Sequence, residues 1–175
     1  MTTPAASPSP PRRPLLFLDV DGPLIPFGRP EGYPTYPGGD TTNPLLARLN
    51  PAYGPRFTAL ARDCDLVWAT TWMHDANECV APRLGLPELP VLPCPEERAE
   101  DEAERNGLHW KTPALVAYAA GRPFAWLDDE ISDPDRAWIT AHTRAPVLFH
   151  RIDPREGLTE ADLGVVEGWV RSTIA

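Results

Sequence analysis

Apolar residues gather along this chain in short runs, and several of the runs break off at a pair of polar residues. The first, Leu15-Leu16-Phe17-Leu18, leads straight into Asp19-Val20-Asp21-Gly22. Unbroken apolar runs of this length predict strands buried on both faces, the kind that fill a parallel sheet. Residues 65–72 predict a second such strand, with Thr70 and Thr71 at its end. Residues 89–92 predict a short, weak third. Phe124-Ala125-Trp126-Leu127 predicts another that ends in Asp128-Asp129, and residues 146–150 a last one.

Between these runs the spacing changes to that of helices. Residues 56–62 predict a helix limited by Gly54-Pro55, residues 75–84 one closed by Gly85, and residues 112–120 one stopped at Gly121. Ser132-Asp133-Pro134 reads as the start of a helix to about Thr143. Thr159 caps an amphipathic helix to about Ser172, with Leu163, Val166 and Val170 on one face. Strands alternating with helices predict an α/β domain, a Rossmann-like three-layer α/β/α sandwich around a mainly parallel sheet. The segment 22–40, rich in Gly, Pro and aromatics, reads as an ordered flap over the end of the first strand.

Composition narrows this picture. A chain of 175 residues suits one domain, placed here at 15–175. Residues 1–14 hold five of the 23 prolines and no apolar face, and read as a disordered Pro-rich tail. No apolar run approaches the ~20 residues that span a bilayer, and no secretory signal is seen, so a cytoplasmic location is expected. Cys64, Cys79 and Cys94 share no metal-type spacing and read as reduced thiols. A net charge of −9 argues against extensive contact with nucleic acid, while leaving a terminal phosphate open as substrate. Much of the acidity lies in residues 95–105, which read as a solvated helix face or loop.

The chemistry sits where the strands end. In a parallel sheet all C-terminal ends share one edge, so Asp19/Asp21, Thr70/Thr71 and Asp128/Asp129 converge there. Alternation aims Asp19 and Asp21 to one side, and two crowded carboxylates call for a cation or a shared proton.

This order of motifs resembles the haloacid-dehalogenase-like (HAD) superfamily of aspartate-nucleophile phosphohydrolases. The matching residues are Leu16-Phe17-Leu18-Asp19-Val20-Asp21-Gly22, then Leu66-Val67-Trp68-Ala69-Thr70, then Lys111, then Ala125-Trp126-Leu127-Asp128-Asp129. The resemblance implies a Mg²⁺-dependent phosphomonoesterase acting through an aspartyl-phosphate. Asp19 would be the nucleophile, and Asp21 the general acid and then base. Thr70, Thr71 and Lys111 would bind the phosphoryl group. Magnesium would lie between Asp19, a backbone carbonyl at Val20–Asp21 (the family uses that of Asp21) and a fourth-motif acid. Asp129 is favoured as that ligand with Asp128 helping, and Asp133 is either an outer support or a helix cap. Asp21 disfavours halide displacement, since a halide leaves without a proton. Pro23 departs from the family's usual Thr or Val and stiffens the start of the flap.

The gaps between motifs are short: 48 residues lie between Asp21 and Thr70, and 40 between Thr70 and Lys111. Neither houses a large cap, so an open site is expected, suited to a phosphate on a large substrate or to an oligomeric partner as lid. Trp72 and Trp110 flank proposed site residues and either stack on the substrate or pack the rim. His74 and His109 lie near them without an assigned role. Two further readings are a nucleic-acid 3′-end phosphatase and a catalytically silent binding or regulatory protein of the same fold.

Overall fold

The computed structural model of the protein describes residues 13–38, 43–94, 103 and 105–175. The apolar runs become four parallel strands: β1 (Leu15–Leu18), β2 (Asp65–Trp68), β3 (Phe124–Asp128) and β4 (Val147–Arg151), in the order β2-β1-β3-β4. The register sets Leu18 beside Trp68 on one side and Leu127 on the other, so three strands end level with one another. The weak run at 89–92 contributes one parallel bridge, Val91 to Trp68. Pro87, Pro90 and Pro93 have no N–H to extend it into a ladder.

The helices are α1 (Gly54–Leu60), α2 (Ala81–Leu84), α3 (Lys111–Ala119), α4 (Asp133–His142) and α5 (Glu160–Ile174). Alternate strand residues serve opposite faces of the sheet. Leu16, Leu18, Leu66, Trp68, Ala125 and Leu127 pack with α1, α2 and α5. Leu15, Phe17, Val67, Phe124 and Trp126 pack with Leu115 of α3 and Ile139 of α4. This is the three-layer sandwich the pattern predicts.

The structure refines three expectations. The predicted helix 75–84 is α-helical only in its second half; residues Ala76–Val80 form a π-helical turn. Pro82 cannot donate to the carbonyl of Glu78, so the α ladder fails there. Arg13 and Pro14 do not belong to a mobile tail. The Arg13 guanidinium bonds the carbonyls of Ala61 and Cys64 and pairs with Asp65 at 3.2 Å, and the Pro14 carbonyl accepts from Asp65 N. Residues 1–12 and most of the acidic run lie outside the described residues. The part of the flap that is described, 22–38, has no helix or named strand and is tied down at both ends. Phe27 N donates to the Pro154 carbonyl at 2.8 Å, and Tyr36 N to that of Ala47 at 2.7 Å.

Among the described residues, no helix is long and apolar enough to cross a membrane, and Cys64, Cys79 and Cys94 are free thiols. Gly54 shows how tightly α1 meets the end of α2, since a Cβ there would lie 2.0 Å from the Leu84 carbonyl oxygen. Gly54→Ala must force the two elements apart. A loss of about 2 kcal/mol in urea unfolding is expected, and an unchanged midpoint would contradict this packing.

Candidate active site

The level strand ends bring the polar pairs to one edge, as the sequence implies. Asp19 follows β1 directly and is buried, Asp128 closes β3, and Asp129 comes next. Lys111, the first residue of α3, reaches between them. Its Nζ lies 2.9 Å from Asp19 Oδ2 and 2.7 Å from Asp128 Oδ2, and its side chain is only 2% exposed. Lys111 is the sole lysine of the chain, against 15 arginines. A compact ammonium fits between two carboxylates where a flat guanidinium fork would not.

Oxygens of Asp19, Asp128 and Asp129 all lie within 4.8 Å of one another. With one ammonium facing three carboxylates, the ionised cluster carries a surplus of two negative charges. Burial, with that surplus adding to it, sets the acidity of the cluster. Burial pushes the Asp19 carboxyl up from 3.8 to about 7, against the pull of Lys111 and with the help of Asp128. Burial and the Asp128 charge push Asp129 up to about 6. For Lys111, burial alone would lower the pKa, but Asp19 and Asp128 outweigh it and hold the ammonium above its ordinary value.

The cluster fits a hard divalent cation. Its donors are carboxylate oxygens, and its excess charge matches such an ion. The three acids differ in what they have free. Asp128 is engaged throughout: Oδ2 takes Lys111 Nζ and the Trp126 indole N–H (3.0 Å), and Oδ1 takes Glu130 N (3.0 Å). Among the described residues no other residue is seen to bond the Asp129 carboxylate, which has its own backbone N–H as a partner and is held against Gly22, where a Cβ would come within 2.6 Å of Asp129 Cγ. Gly22 has φ 84, so glycine is required there twice over. The Val20 carbonyl already accepts from Leu24 N and Ile25 N, which leaves that of Asp21 as the free one at this turn.

Thr70 is fully buried at the end of β2, and its Oγ1 accepts from Trp72 N at 3.3 Å. Thr71 is exposed. Asp21 is half-buried, and its Oδ2 accepts from the Trp72 indole N–H at 2.9 Å. Trp110 lies beside the cluster, with Lys111 Nζ 5.8 Å from its ring centre.

A family model described as the HAD domain in Swiss Army Knife RNA repair proteins matches residues 15–163. The chain belongs to this family. No curated protein and no solved structure was found to match it.

In this HAD domain the support from α4 is Asp135, not Asp133. Asp133 is exposed at the start of the helix, whereas Asp135 is 1% exposed. Asp135 Oδ1 accepts from His109 N (2.9 Å) and Thr112 Oγ1 (2.6 Å), while Oδ2 accepts from Ser132 N (3.0 Å). Burial would raise its pKa, but the Ser132 and Thr112 bonds outweigh burial and hold it below 3.8. Asp135 thus ties the first turn of α3, and with it Lys111, to α4. The spacing Ser132-x-x-Asp135 is a capping box and was the available signal. His109 adds a second tie, with Nδ1 accepting from Lys111 N at 3.1 Å and Nε2 facing Glu130 at 3.1 Å.

The raised acids make a test of the metal assignment. Both hold protons in the folded chain at a pH where the unfolded chain has lost them. The stability they lend is complete below about pH 4 and is lost as the pH rises through about 6 and 7. Magnesium binding requires the ionised acids, so the rise in Tm with millimolar MgCl₂ should be larger at pH 8 than at pH 5, by about 5 °C. Equal rises at both would contradict a metal held by Asp19 and Asp129.

Proposed function

We propose that the protein is a magnesium-dependent phosphomonoesterase working through an aspartyl-phosphate on Asp19. The observation that carries this reading is the buried Asp19 carboxylate, set 2.9 Å from Lys111 Nζ and within 4.8 Å of Asp128 and Asp129. A divalent cation held by Asp19, Asp129 and the Asp21 carbonyl would neutralise charge on the phosphoryl oxygens. Asp19 attacks phosphorus, with its charge and direction set by Lys111 and the Val20 N–H (2.8 Å from Oδ1). Lys111 and Thr70 meet the oxygens on which charge develops, in a site that burial keeps poor in water. Asp21, half-exposed at the mouth, protonates the departing oxygen and then takes a proton from the attacking water. A silent binding protein would have no use for Asp21 in that place.

A second reading narrows the substrate to a phosphate at the end of an RNA strand. The RNA-repair description of the matching family favours it. The charge of −9 speaks against a long nucleic-acid track, yet a terminal phosphate needs only the mouth of the site. The short gaps between motifs, 48 and 40 residues, suit a mouth without a large cap.

Phosphate release with Mg²⁺ should be measured on an aryl phosphate, small alkyl phosphates and RNA oligonucleotides with 3′- or 5′-terminal phosphates. The wild type turns over at least one class, and Asp19→Asn lowers kcat by about 10³-fold or more. Lys111→Arg loses about 10²-fold despite keeping the charge, because the fork does not fit. Absence of release from every ester would overturn the reading, and a preference for the RNA ends would support the second.

A further inference from the structure

Trp72 joins two strand ends that carry the proposed chemistry. Its backbone N–H donates to Thr70 Oγ1, and its indole N–H donates to Asp21 Oδ2 at 2.9 Å. Among the described residues it is the side-chain partner of Asp21. The ring is half-buried and packs on the core shared with α1, α2 and α5, so its position is not free to drift. The turn around it is strained. Met73 follows with φ 48, in the left-handed region that a side chain of this kind rarely adopts, and Met73 N closes back on the Thr70 carbonyl at 3.2 Å. Such strain persists only where the surroundings over-determine it, and it lies directly after the residue whose indole meets the carboxylate.

We propose that Trp72 is a positioning residue for the acid/base step, holding Asp21 by Oδ2 so that Oδ1 carries the transferred proton. An indole N–H only donates, and the better acceptor of a carboxyl group is its carbonyl-type oxygen. When Asp21 is protonated, the proton therefore sits on Oδ1. In the first half-reaction a bond forms between Asp19 and phosphorus as the ester P–O bond breaks, and the Oδ1 proton passes to the departing oxygen. In the second, water bonds phosphorus as the Asp19–phosphorus bond breaks, and its proton returns to Oδ1. Both carboxyls then regain their starting states. This inference rests on the reading of Asp21 as acid and base.

Leaving groups separate positioning from packing. Nitrophenolate departs without a proton, while an alkoxide needs one, so kcat/KM should be compared on p-nitrophenyl phosphate and on a simple alkyl phosphate. Trp72→Phe keeps most of the apolar contact and removes the N–H. It should lose about 10-fold on the alkyl ester and less than about 3-fold on the nitrophenyl ester. Equal losses on both, or no loss on either, would overturn the proposal. A wild type that releases phosphate neither from these esters nor from the RNA termini would instead overturn the phosphatase reading. Should Trp72→Phe fail to fold, the Trp72 Nε1–H resonance gives the answer in the wild type and in Asp21→Ala. Removing the acceptor should move that resonance and speed its hydrogen exchange, and an unchanged resonance would contradict the hydrogen bond.

Discussion

Everything at the strand edge depends on one buried ammonium. Lys111 is enclosed between Asp19 and Asp128, and without it three carboxylates would face one another in a place that water scarcely reaches. The desolvation of so many charges is offset only if their spacing is held closely. The parallel register of β1 and β3 fixes the carboxylates, and the first turn of α3 brings the cation. The chain meets its other needs for positive charge with arginine. Arg13 and Arg122 fork onto backbone carbonyls and Asp65 near the start of β1, and Arg56 bridges Glu160 and Glu167. Only where the space is point-like does a lysine occur.

A single ammonium leaves the cluster short of positive charge, and this shortage links structure to chemistry. Burial raises Asp19 and Asp129, the Asp128 charge adds to it, and the surplus of negative charge suits a divalent cation. The frame around the cluster leaves little room for adjustment. Gly22 presses on Asp129, Arg151 Nε donates to the Asp129 carbonyl at 2.8 Å, and Leu158 N donates to the carbonyl of Pro23 at 2.8 Å. Arg48 bonds the Pro26 carbonyl at 3.1 Å, so the segment after the first motif is strapped to the loops beside it. Pro23, whose ring fixes its φ, adds to that restraint.

Much of this was legible in the sequence, for a physical reason. Strands buried on both faces must be continuously apolar, so a polar pair at their end stands out, and parallel topology forces such ends together. The acids Asp19, Asp21, Asp128 and Asp129 and the hydroxyl of Thr70 emerged in that way. What stayed hidden depends on contacts between distant segments. Asp133 and Asp135 look alike in a helix start, and only the docking of α3 against α4 turns the second one inward. The indole of Trp72 could have packed or stacked, and its bond to Asp21 joins the ends of two strands distant in the chain, which periodicity does not encode. The π-helical turn before α2 and the loss of a full strand at 89–92 both come from prolines whose missing N–H matters only once a partner is known.

In the chemistry proposed for this edge, the Asp19 carboxylate, held by Lys111, takes the phosphoryl group onto itself. This step is tested most directly by acid-quenching the protein during turnover with Mg²⁺ and a phosphate ester, then mapping the phosphorylated peptide by mass spectrometry. The expected result is a phosphoryl adduct on Asp19 that hydroxylamine removes, enriched in Asp21→Asn, where the attacking water lacks its base. Turnover with no adduct on Asp19, or with the adduct on another residue, would contradict it.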